Sequence, residues 1–192
     1  MAPAKRDFRG ARERGSPPEP PADPEARARQ VCYRLLTLAP RTRAQLAEAL
    51  ARRDIPDEVA ERVLGRFIDA GLIDDAAFAK SWVESRHHGR GLASRALRAE
   101  LRQRGVTDDE IHDALGELAP GQEAETARRL VDSKLAATSG LPPEARIRRL
   151  AGMLARKGYP GGLAFRVIRE AMEAEGYGDA VPEPDAVPGP EE

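Results

Sequence analysis

Arg95, Arg98 and Arg102 stand at i, i+3 and i+7, so a helix through them stacks three guanidinium groups on one stripe, away from Leu97 and Leu101. They lie within residues 80–104, where Lys80, Arg86, Arg90, Arg95, Arg98, Arg102 and Arg104 face only two acids, Glu84 and Glu100. Residues 141–172 repeat that balance, with Arg146, Arg148, Arg149, Arg156, Lys157, Arg166 and Arg169 against Glu144 and Glu170. Arg146, Arg149 and Arg156 read as a second stripe facing away from Ile147 and Leu154. Between the two basic segments, residues 105–140 hold eight acids and three bases. Arginine forks suit phosphate and carboxylate oxygens alike. Two such stripes predict an extended surface for a polyanion or an acidic protein face. Its candidate binding residues are Arg90, Arg95, Arg98, Arg102, Arg104, Arg146, Arg149, Arg156 and Lys157. Aromatics are scarce beside the stripes, which argues against a platform for stacking single-stranded bases.

Other chemistry finds little support. His87 and His88 are neighbours, so on a helix they point about 100° apart and cannot pinch one metal ion. His112 stands far from both. The single cysteine, Cys32, falls in an apolar helical pattern and reads as core filler. There is no Cys pair, no His-x-x-x-His and no phosphate-binding glycine loop. Asp74-Asp75 and Asp108-Asp109 fit helix starts, where acids meet the positive end of the helix dipole. The expectation is a non-enzyme with no catalytic residue, metal or cofactor.

These cations sit in a chain of 192 residues with 31 Lys+Arg and 32 Asp+Glu, a net charge of −1. The near-neutral total hides a basic body between two tails. Residues 1–24 contain six prolines and one aromatic, Phe8, too little apolar material to offset the entropy of ordering. Residues 173–192 carry seven acids and no base. The expectation is a disordered Pro-rich arm over 1–24, a folded body over 25–174 and a disordered acidic tail over 175–192. No run approaches the roughly 20 apolar residues that a membrane helix needs. The first ten residues are basic but lack the apolar stretch of a secretory signal. The protein is therefore expected in the cytoplasm, away from membranes.

The body reads as helix throughout, rich in Ala, Leu, Arg and Glu without β-branched runs. Val31, Leu35 and Leu38 mark one face of a first helix, and Pro40 ends it. Thr42-Arg43-Ala44-Gln45 is a capping box, and Thr107-Asp108-Asp109-Glu110 a second. Leu46…Leu50-Ala-Arg-Arg-Asp54-Ile55 returns as Leu97…Leu101-Arg-Gln-Arg-Gly105-Val106, and again as Leu150…Leu154-Ala-Arg-Lys-Gly158-Tyr159. Each copy is a helix, a stop suited to positive φ, one apolar plug and a new helix. With a preceding helix at about 25–39, 75–88 and 121–138, the pattern predicts three tandem three-helix repeats over 25–74, 75–120 and 121–174. A unit this small buries little alone, so stacked neighbours should form an all-α, elongated and curved body.

Two stretches carry a resemblance. Gly71-Leu72-Ile73-Asp74-Asp75-Ala76-Ala77-Phe78-Ala79 with Trp82-Val83-Glu84-Ser85-Arg86, and Leu97-Arg98-Ala99-Glu100-Leu101-Arg102-Gln103-Arg104-Gly105-Val106, resemble the RecX family, regulators of the bacterial RecA recombinase. The likeness spans roughly 30–172 and departs where Asp54 replaces a usual glycine and where Gly161-Gly162 replaces a polar helix start. Phe78 and Trp82, four apart, are read as plugging the junction between repeats one and two. The resemblance implies a modulator, mainly an inhibitor, that lies in the groove of the RecA nucleoprotein filament and thereby affects recombination, repair and the SOS response. DNA, single- or double-stranded, would be at most a weak direct partner, and the protein itself a monomer. Two alternatives stand beside it: a direct DNA-binding module, and a helical-repeat scaffold for an unrelated partner.

Overall fold

A computed structural model describes residues 23–119 and 121–177. Among the described residues the chain is helical, with nine α-helices, one 3-10 turn and no strand. They fall into three sets: α1 (Pro24–Leu38), α2 (Arg43–Ala51) and α3 (Asp57–Asp69); α4 (Asp75–Arg90), α5 (Ser94–Arg102) and α6 (Asp108–Gly116); α7 (Gln122–Leu135), α8 (Pro143–Arg156) and α9 (Gly161–Ala174). The 3-10 turn, Ala136–Thr138, extends α7.

Local chemistry sets these bounds. Both capping boxes form: the Thr42 and Thr107 hydroxyls accept from the Gln45 and Glu110 N–H groups, and those side chains accept the threonine N–H in return. Asp74 starts α4 by accepting from the Ala77 N–H at 2.7 Å. Asp23 caps α1, so Asp23 and Pro24 belong to the folded body and not to the arm. The rest of the expected arm, and the expected tail beyond Tyr177, lie outside the described residues.

Each set buries its own core. Leu46, Leu50, Val63, Leu64 and Phe67 centre the first, with Cys32 fully buried among them and its thiol pKa pushed up by that burial. Val83, Leu97, Leu101 and Ile111 centre the second. Leu150, Leu154, Ile168 and Met172 centre the third. Leu46, Leu97 and Leu150 hold the same place in their repeats and each is buried to within 1%.

The repeats join in series by one device used twice. The stop after the second helix of one repeat packs on the start of the second helix of the repeat before it. The Thr42 hydroxyl donates to the Arg104 carbonyl at 2.5 Å, and Gly105 backs onto Ala44. One repeat later the Ala93 N–H donates to the Lys157 carbonyl at 2.9 Å, and Gly158 backs onto Ala96. Asp54 takes the same left-handed conformation, φ 56°, but stands exposed at the outer end of the series. Its departure from glycine follows: among the described residues no earlier repeat packs on this stop, so a Cβ there is accommodated.

The Phe78 and Trp82 rings stack with centroids 5.6 Å apart and pack on the core of the second repeat, and Arg104, whose carbonyl accepts from Thr42 at the first junction, lies over the Trp82 ring. Trp82 Nε1–H donates to Glu100 at 2.8 Å, which ties α4 to α5.

Candidate partner-binding surface

The nine candidate cations separate into three surface groups, in which Arg98, Arg104 and Lys157 are half-buried and the other five exposed, and one buried residue. Arg95, Arg98 and Arg102 lie along the outer face of α5, opposite the buried Leu97 and Leu101, as their spacing predicts. Arg102 Nε donates to Asp108 at 2.8 Å; that bond raises the arginine pKa and lowers that of the acid. Arg95 and Arg98 take part in no ion pair among the described residues. Arg104 turns from the stripe toward Trp82. Its guanidinium carbon sits 3.6 Å from the ring centroid and that of Arg86 at 4.1 Å; the Glu100 carboxylate lies 3.8 Å from Arg86 Nε, and the Glu100 carbonyl accepts from Arg104 at 2.6 Å. Burial lowers the Arg104 pKa, Glu100 opposes the shift and Arg86 adds to it; the group stays a cation.

The second group spans the junction of repeats two and three. Arg90 and Lys157 line a groove of about 550 Å3 with His88, Arg129 and Leu130. Lys157 Nζ donates to the Arg90 carbonyl at 2.5 Å, so this lysine also fastens the junction. Beneath the groove His87 is fully buried, with Nδ1 2.8 Å from the Leu92 carbonyl and Nε2 3.0 Å from the Thr126 hydroxyl. Its neighbour His88 stays exposed, so the adjacent pair is split between core and surface. The third group is Arg149 and Arg156, which line a groove of about 230 Å3 together with Lys134. Arg129 and Lys134 escaped the sequence reading because they sit in the segment whose average charge is acidic.

Arg146 is a correction. It is 2% exposed and belongs to no surface stripe. Its Nε donates to the Thr138 hydroxyl at 3.3 Å, and one Nη bonds the Glu175 carboxylate. The Tyr177 ring lies 5.5 Å from its guanidinium carbon. Arg146 precedes Leu150 by four and Leu154 by eight, which places it on the buried face of α8 and not opposite it. Glu175 and Tyr177, assigned from sequence to the tail, therefore belong to the third repeat's folded edge.

Three serially docked helical triplets define an all-α helical-repeat protein. Family models described as RecX first, second and third three-helix domains match residues 28–67, 74–115 and 122–168. The chain is similar to proteins named "Regulatory protein RecX": 59% identical to that of Thermobifida fusca, over 92% of this chain and 97% of the relative. With that of Streptomyces coelicolor it is 62% identical, over 82% and 84%. The crystal structure of RecX from Lactobacillus salivarius shares the fold at a TM-score of 0.71 and 21% identity, covering 78% of this chain and 97% of that one. A second structure, of a regulatory protein RecX, gives 0.68 at 28% identity over 78% and 73%. The chain belongs to the RecX family.

Proposed function

We propose that this chain is a non-catalytic, monomeric regulator of RecA in the cytoplasm, which binds in the groove of the RecA–DNA filament and mainly inhibits it. Regulation of recombination, DNA repair and the SOS response would follow from that restraint. Family membership supports the regulatory role. The observation that carries the binding mode is the run of exposed and half-buried cations over two successive repeats, from Arg95, Arg98 and Arg102 to the Arg90–Arg129–Lys157 and Lys134–Arg149–Arg156 grooves. A rigid series of repeats carrying spaced cations suits a repeating, acidic partner.

The test is RecA ATPase on single-stranded DNA during titration with this protein, beside its binding to bare DNA. Inhibition well below the concentration that coats bare DNA supports recognition of the filament. Inhibition only where DNA is coated turns the reading into direct DNA binding. No effect in either arm leaves a scaffold for another partner.

A further inference from the structure

Lys134 of α7 and Arg149 and Arg156 of α8 converge on one groove with Ala137, Leu150 and Met153 between them. Among the described residues none of these three cations is held in an ion pair, although the same repeat pairs Arg128 with Glu170 and Arg146 with Glu175. Thr138 belongs both to this groove and to the Arg146 site, where its hydroxyl accepts from Nε. Tyr177 covers that site, so the chain passes residue 177 beside the groove.

The residues that follow have complementary chemistry. Residues 178–192 hold Asp179, Glu183, Asp185, Glu191 and Glu192 and no base. They spell Asp-Ala-Val-Pro twice, at 179–182 and 185–188, so acids alternate with small apolar residues, and the groove sets the partly buried Met153 among its cations. Arg149 and Arg156 are separated by about 10 Å along α8. A chain can span about 3.3 Å per residue, so the eight residues after Tyr177 are long enough to exceed that separation.

We propose that residues 178–192 dock in cis on the Lys134–Arg149–Arg156 groove and hold it until a stronger polyanion displaces them. Each exposed ion pair is weak and screened by salt. The short tether raises the local concentration of the segment to the millimolar range, which makes weak pairs sufficient. The α5 stripe stays open, so only the third repeat is self-occupied.

The proposal does not rest on RecA, and neither does its test. Backbone amide NMR at low salt compares the full chain with a full-length Asp179→Asn, Glu183→Gln, Asp185→Asn variant. Neutralising the segment should shift Lys134, Arg149, Met153 and Arg156 and leave Arg95 to Arg102 unmoved. Raising salt should move the parent spectrum toward that of the variant at these same positions. A peptide of residues 178–192 should bind the neutralised chain, and Arg149→Glu with Arg156→Glu should abolish that binding. Spectra that coincide at the groove, shifts centred on α5, or groove shifts indifferent to salt would each overturn the proposal.

Discussion

A Cβ placed on Gly158 would lie 2.6 Å from the backbone nitrogen of Ala96, closer than any real side chain sits. The contact joins repeats two and three through bare backbone, and at the junction of repeats one and two a Cβ on Gly105 would meet the Ala44 methyl at 2.2 Å. Both glycines also take positive φ, 87° and 76°. Alanine at either site therefore meets two penalties, about 1 kcal/mol of backbone strain and about 1–3 kcal/mol of overpacking. Gly71 has φ 66° and open space around its missing Cβ, so Gly71→Ala isolates the strain alone. Thermal unfolding should rank Gly158→Ala and Gly105→Ala well below Gly71→Ala. Equal losses at all three would show that the junctions yield.

Arg146 and Arg149 make a contrasting pair. Removing the buried cation strands the Glu175 carboxylate, and breaking such a pair costs about 3–5 kcal/mol when both partners are dry. Glu175 still reaches solvent, its side chain being 35% exposed, so Arg146→Met should cost about 2 kcal/mol. Arg149→Glu should leave stability within about 0.5 kcal/mol and act on partner binding instead. Denaturant titration beside a filament-binding assay separates the two, and an Arg146→Met chain of parent stability would contradict the buried pair.

Tyr159 ties stability to alkaline pH. Its hydroxyl donates to the Gly91 carbonyl at 3.0 Å across the second junction, and burial pushes its pKa up to about 12. The unfolded chain ionises this phenol near pH 10. The neutral form is favoured in the fold, so its contribution is whole below pH 10 and is lost as pH rises toward 12. Tyr159→Phe should cost about 1 kcal/mol at neutral pH through the lost hydrogen bond. That deficit should shrink and reverse by about pH 12, as the wild type forfeits about 2–3 kcal/mol. A gap that stays constant across urea unfolding at several alkaline pH values would refute the linkage.

The α5 stripe should carry partner binding without carrying the fold. Arg95→Glu, Arg98→Glu and Arg102→Glu together should preserve the far-UV circular dichroism and weaken inhibition of RecA at least tenfold. Arg102 gives up only an exposed pair with Asp108. Unchanged inhibition by this folded variant removes the stripe from the proposed surface.

What local patterning encodes was legible. Thr42-Gln45 and Thr107-Glu110 announce helix starts because the groups that satisfy one another lie three residues apart. Asp54, Gly105 and Gly158 announce the stops, and all three take positive φ. Partners distant in sequence were not legible. Trp82 meets Arg86 from its own helix and Arg104 from the turn after α5. Arg146 looked like a surface base because its acid, Glu175, comes 29 positions later in a stretch that reads as solvated tail. The grooves were hidden for a related reason: Arg129 and Lys134 belong to α7, and charge counted along the chain cannot see cations that meet across helices.

Asp54 has a consequence beyond its own turn. A contact made by the front of one unit on the back of the next is heterologous and has no built-in end, so nothing in the geometry of the two junctions limits the array to three. The outward stop of the first repeat is the place where another molecule could add itself by the same rule. There the side chain fills the space that bare glycine leaves open elsewhere, and an incoming helix start meets a carboxylate at the point of closest approach. A Cβ at that stop excludes the close approach that Gly105 and Gly158 make, so the outward stop of the first repeat does not offer a second copy of the chain the contact that joins the repeats.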